Sequence, residues 1–169
     1  MLEQINQFMQ AGGEVLYLIA LLTFVMWTLI FERSYYYLKE MKLEVQQAID
    51  SWEQRSDRHS WRAKKVRQKM ISEVRLSINE NMPLIRTMVA LCPLFGLLGT
   101  VWGMIEVFNI MAVTGGGEAK AMASGVSKAT IPTMAGMVAA LSGVFANTFL
   151  MRIAERESLL LEDHMTLDH

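Results

Sequence analysis

The 169-residue chain has one cysteine, Cys92, and three prolines. A single cysteine excludes an internal disulfide framework and a Cys-rich zinc site. Few prolines and no Ser/Gly-rich tract exclude a disordered polypeptide. A charge bias is missing too: 16 Lys/Arg against 17 Asp/Glu give a net charge of −1, so nothing points to nucleic acid. There is no Gly-rich loop leading to Lys-Ser/Thr, no HExxH and no CxxC. The chain therefore reads as a non-enzyme with no cofactor. Asp163-His164 and Asp168-His169 look like metal ligands, but they are terminal and one-sided, and no metal is expected there. What remains is a chain that is 52% hydrophobic and 20% charged. A small soluble domain does not combine those figures unless the two classes are segregated.

They are. No charged residue occurs from Val15 to Phe31, from Thr87 to Ile105, or from Ala129 to Met151, runs of 17, 19 and 23 residues. A bilayer core needs ~20 mostly apolar helical residues, with a range of ~17–25. Three such runs leave no polar face to meet water, so a soluble core helix does not account for them. Gly12-Gly13 can extend the first run, and Tyr35-Tyr36-Tyr37 are expected at the interface on its other side, as aromatic belts are. No basic residue precedes the first run, so it reads as a retained span and not as a secretory signal.

Twelve of the 16 Lys/Arg lie in residues 32–86 and none in 1–14. By the positive-inside rule the first of these segments is cytoplasmic and the second is outside. The expected layout is a periplasmic N-terminus over 1–14, spans over 15–31, 87–113 and 128–151, a cytoplasmic segment over 32–86, a periplasmic loop over 114–127, and a cytoplasmic C-terminal helix over 152–169. In the cytoplasmic segment Met41, Val45, Ile49 and Trp52 fall on one helical face, and Arg67, Ile71, Val74 and Ile78 on another. Asp57-Arg58-His59-Ser60 is expected as the turn, with Ser60 capping the second helix. Two antiparallel helices result. They can be solvated extensions of the spans or a docking arm, and the sequence leaves both open. Trp52 and Trp61 read as core or interface, not as a nucleotide platform. Gly115-Gly116-Gly117 break the chain between the second and third spans.

The spans carry small residues at helical spacing. The second has Gly96, Gly99 and Gly103; on the third Ala129, Thr133, Gly136, Ala140, Gly143 and Asn147 form a seam. Lipid gives helices no hydrophobic reason to associate, whereas close approach through small residues does. The seam can serve packing within one subunit or contacts in a ring of copies. Thr100 and Thr133 lie inside spans, with Asn147 nearer the inner end. A membrane threonine is often silent, its hydroxyl bonded to its own helix. Glu106 and Lys128 border the second and third spans on the same side. No charge cluster or inverted repeat suggests a solute transporter.

The stretch Pro93-Leu94-Phe95-Gly96-Leu97-Leu98-Gly99-Thr100-Val101-Trp102-Gly103-Met104 resembles the signature of the ExbB/TolQ/MotA superfamily, and most closely ExbB. Gly125 to Ala129, with Thr133, Gly136 and Val138-Ala139-Ala140, is similar to the start of the family's third span. The resemblance covers roughly residues 12–162. It implies an all-α integral membrane protein of three transmembrane helices extended by a cytoplasmic helical hairpin and assembled as a ring, a homopentamer in the bacterial inner membrane. That ring would enclose the single membrane helices of an ExbD-like partner bearing a membrane Asp. With a TonB-like protein it would use the proton gradient, with no cofactor, to energise outer-membrane uptake of iron complexes or vitamin B12. Thr100 and Thr133 match the family's pore threonines, and Asn147 joins them as an ion-pathway candidate. Glu106 and Lys128 would be pore-mouth charges, and Gly96, Gly99, Gly103, Gly136, Ala140 and Gly143 would pack the helices. One departure stands out: many relatives carry a glutamate where this chain has Lys128, which does not accept a proton at neutral pH unless strongly desolvated. A TolQ-like subunit for envelope integrity, a MotA-like stator and a passive scaffold are the alternatives; 55 residues between the first two spans are few for a stator.

Overall fold

The computed structural model describes residues 2–55, 60–115 and 119–165, with side chains chiefly from residue 13 onwards. Its elements are α1 (Leu2–Lys39), α2 (Met41–Glu53), α3 (Trp61–Asn79), α4 (Met82–Thr114) and α5 (Ala119–His164). The three uncharged runs lie in α1, α4 and α5, each long and apolar enough to cross a membrane. The chain is an all-α, multi-pass membrane protein. Residues 119–127, expected in a loop, are helical. Ala119, Ala121, Met122 and Ala123 are strong helix formers, and they start α5 soon after the glycines. Asp57-Arg58-His59, Gly116-Gly117 and Asp168-His169 lie outside the described residues.

The chain forms two compact units: Met1–Thr28 with Arg86–Phe145, and Leu29–Ile85 with Ala146–His169. In the first, α1 is broken at Gly13, where φ is 69° and ψ −167°. Only glycine occupies that region readily. No atom lies within 4 Å of where a Cβ would sit, so backbone alone decides a substitution there. Gly13→Ala is expected to destabilise the first unit by ~1–3 kcal/mol, or to straighten α1. Chemical unfolding in mixed micelles measures the first outcome and accessibility of flanking cysteines the second; no change in either would mean the bend is not needed.

In the second unit Ser60 caps α3, its Oγ accepting from the Ala63 amide at 3.1 Å. Ala48 and Trp52 of α2, Ala63 and Ile71 of α3, and Leu161 and Met165 at the end of α5 form one core. The expected two-helix hairpin is thus a three-sided bundle. Arg67 donates to the carbonyls of Met165 and Glu162, satisfying the end of α5, and Arg75 pairs with Glu162 at 3.3 Å. Between α3 and α4, Asn81 takes φ 61°, a left-handed conformation that asparagine tolerates.

The tyrosine triplet departs from the aromatic-belt expectation. Tyr35 is exposed, but Tyr36 and Tyr37 are 9% and 4% exposed. They flank Arg33, itself buried, whose guanidinium lies 4.5 and 5.5 Å from their ring centroids and donates to the Ser77 carbonyl. Tyr36 donates to Glu44 at 2.7 Å, Ser77 Oγ donates to the same carboxylate at 2.9 Å, and Tyr37 donates to the Ile78 carbonyl at 2.8 Å. The buried Arg33 Nε finds no partner among the described residues, and the remaining contacts of the cluster tie α1, α2 and α3 together.

Candidate functional site

In the first unit α4 and α5 approach closely because one side or the other lacks a side chain at each contact. A Cβ on Gly103 would meet Ala129 Cβ at 2.6 Å, and one on Gly136 would meet the Cys92 carbonyl oxygen at 2.5 Å and Gly96 Cα at 3.2 Å. Gly99 leaves a notch filled by the ring of Pro132, which is fully buried inside α5. Gly143 faces Met26 and Val89, and Ala140 is buried. The small-residue seam of α5 is therefore used within the subunit from Ala129 to Gly143. Of the two uses open in the sequence, packing within the subunit is the one seen: mutual approach of two backbones leaves that face covered. The opposite surface, with Met137, Leu141, Val144 and Phe145, is exposed.

The close approach sets the two threonines. Thr133 Oγ1 crosses to α4 and donates to the Gly96 carbonyl at 2.9 Å. Thr100 Oγ1 donates to the next carbonyl, Leu97, at 2.7 Å within its own helix. Both hydroxyl protons are thus committed to consecutive carbonyls of α4. A hydroxyl has one proton but two lone pairs, so each oxygen can still accept. Each is an uncharged group whose oxygen remains open as an acceptor.

Glu106 and Lys128 also come together, Oε1 to Nζ at 3.6 Å, both about half exposed. Such a pair contributes ~0–1 kcal/mol and joins α4 to α5 at the border of the uncharged runs. Asn147 belongs to the second unit. It is buried, its Nδ2 donates to Met151 Sδ at 3.5 Å, and its Oδ1 has no partner among the described residues. His164 bonds the Leu160 carbonyl of its own helix at 2.7 Å. Among the described residues no group of three His, Cys, Asp or Glu could hold a metal. A groove of about 700 Å³ between α1 and α5 is lined by apolar side chains with Thr23 and Ser142, whose hydroxyls bond their own helices at 2.7 and 2.8 Å. Pro132 and the Cys92 carbonyl went unnoticed as contact points in the sequence; a proline three residues after a small residue of the seam was the available signal.

The sequence pattern of the MotA/TolQ/ExbB proton channel family matches residues 37–163, most of the chain. The chain belongs to that family. It is 42% identical over 77 residues to an ExbB-like biopolymer transport protein of Synechocystis, covering 44% of this chain and 30% of that protein. It is 33% identical over 82 residues to the biopolymer transport protein ExbB of Helicobacter pylori, 48% of this chain and 57% of that one. TolQ of the Tol-Pal system of Haemophilus influenzae is 35% identical over 80 residues, 46% of this chain and 34% of its own. The matched stretches thus span 30 to 57% of these relatives' lengths. Names of ExbB and TolQ type both occur among these relatives, so they place the chain in the MotA/TolQ/ExbB family without separating the two types.

Proposed function

We propose that this subunit forms, with further copies of itself, the wall of an inner-membrane motor driven by the proton-motive force, with its N-terminus in the periplasm and its C-terminus in the cytoplasm. In this reading the ring is a homopentamer around an ExbD-like single-span partner that carries a membrane Asp. With a TonB-like protein the assembly energises outer-membrane uptake of iron complexes or vitamin B12. The observation that carries it is the pair of threonine hydroxyls whose protons are held by the Gly96 and Leu97 carbonyls. Such a lining accepts a hydrogen bond from a neutral carboxylic acid but gives none to a carboxylate. Protonation of the partner Asp therefore makes contact with Thr100 and Thr133 favourable. Loss of the proton removes that contact and leaves a charge in an apolar setting, which is expensive. The gradient supplies ~2.3 kcal/mol per charge per 100 mV, enough to bias the step. Glu106 and Lys128 stand at the mouth as an ion pair.

Thr133→Val keeps the shape and removes the hydroxyl. In a strain lacking its own ExbB-type subunit, growth on a chelated iron source should fall by at least tenfold while the assembled complex keeps its mass. Thr133→Ser should restore much of the growth. Unchanged growth with unchanged assembly would leave a passive scaffold as the better reading. The TolQ-type relative supports a second reading, envelope integrity. There the same variant would raise sensitivity to detergent and bile salts and leave iron-limited growth alone.

A further inference from the structure

Six basic residues and no acidic one fall between Arg58 and Lys69. The first turn of α3 holds no acid, so its cations sit at the positive end of the helix dipole, where they oppose it. Helix stability does not account for them. Among the described residues, Arg67 is taken by carbonyls at the end of α5, and Lys69 pairs with Glu73 at 3.4 Å on the surface. Arg62, Lys64 and Lys65 are exposed. Beside them Trp61 is 73% exposed, with Lys65 Nζ 5.6 Å from its ring centroid. Trp52, in the same bundle, is 2% exposed. An open tryptophan among exposed cations is the composition of an interface anchor.

The surface is held firmly from behind. Ser60 caps its helix, and Ala63, fully buried, packs in one core with Trp52 and Leu161. It also stands clear of the bilayer. Leu161, in that core, is ten residues beyond Met151, where the last uncharged run ends. Ten helical residues rise ~15 Å. The headgroup layer reaches ~5–7 Å beyond the hydrocarbon, and the Debye length is ~8 Å. Lipid charges at that distance are largely screened.

We propose that Trp61 with Arg62, Lys64 and Lys65 is a docking surface for an acidic polypeptide segment carrying an aliphatic side chain beside its carboxylates. The carboxylates neutralise the cations and complement the helix dipole; the aliphatic group covers the indole. This surface does not depend on the ring or on the motor reading.

The test uses the full chain in neutral detergent micelles, titrated with a fluorescein-labelled peptide of repeating Glu-Glu-Leu. Wild-type protein should bind it, and the affinity should fall as salt rises. Lys64→Glu with Lys65→Glu should weaken binding at least tenfold, and Trp61→Ala at least fivefold, with helicity and particle mass unchanged. A glutamate-only peptide of equal charge should bind at least fivefold more weakly. Equal binding by wild type and Trp61→Ala, or equal affinity for the two peptides, would overturn the proposal by reducing the surface to bare charge. Displacement of the peptide by phosphatidylglycerol vesicles, but not by phosphatidylcholine vesicles, would also overturn it and assign the surface to lipid. Because particle mass is read in the same samples, failure of docking is distinct from failure of assembly.

Discussion

Gly136→Leu should leave essentially no folded, assembled protein. The position faces backbone, not side chain: a Cβ there would lie 2.5 Å from the Cys92 carbonyl oxygen and 3.2 Å from Gly96 Cα. Neither atom can rotate away, so α4 and α5 must separate by most of a side chain. That separation also pulls Thr133 from the Gly96 carbonyl. Lipid offers no hydrophobic compensation for the lost contact. Overpacking typically costs ~1–3 kcal/mol and sometimes more; Ala at this site belongs in that range and Leu above it. Gly143→Ala is the control. Its new methyl would meet Met26 Sδ at 2.6 Å and Val89 Cγ2 at 2.7 Å, side-chain atoms that can give way, so an effect below ~1 kcal/mol is expected, methionine being adaptable. The fraction of protein in a monodisperse peak and its thermal midpoint measure all three. A Gly136→Leu protein indistinguishable from wild type would refute the α4–α5 contact described above.

Arg33→Ala should destabilise the second unit by ~1–3 kcal/mol, the range for leaving a buried hydrogen-bonding group unsatisfied. The guanidinium is 2% exposed, donates to the Ser77 carbonyl and is sandwiched near two tyrosines. Truncation leaves a hole, orphans that carbonyl and removes the cation nearest the Glu44–Tyr36–Ser77 hydrogen bonds. Arg33→Lys should rescue little, because an ammonium does not stack flat on a ring. Arg33→Met should recover part of the loss by filling the volume. Chemical unfolding in mixed micelles ranks the three. A loss under ~1 kcal/mol for Arg33→Ala would mean that water replaces the guanidinium easily, contrary to the burial seen.

The spans were legible because charge is forbidden in hydrocarbon, so three uncharged runs identify three helices with little dependence on context. The faces of α2 and α3 were legible for a similar reason: Met41, Trp52, Ile71 and Ile78 recur at helical spacing and are buried. The seam from Ala129 to Gly143 was legible as a close-packing stripe, but its partner was not. Spacing says that a backbone approaches, not whose. Thr100 bonds its own helix, as a membrane threonine commonly does, whereas Thr133 reaches across to Gly96, which only the fold decides. Arg33 was read as one of twelve charges that orient the chain. Its burial depends on Ser77, 44 residues away, and on two tyrosines whose sequence neighbourhood suggests an interface. Long-range satisfaction of a polar group leaves no local periodic trace. The start of α5 was missed because three consecutive glycines drew the loop outward over alanines that are helical.

The hydroxyls at the α4–α5 crossing neither gain nor lose protons in any physiological range, since threonine does not ionise there. Under the proposed function, a wall made this way would respond to the charge state of its visitor while its own stays fixed. In the proposed assembly the wall still acts on the visitor's acidity, because contacts that favour the neutral acid and an apolar setting both raise the pKa of a carboxyl group. The operating range would then be set by the visiting helix and the surrounding subunits together.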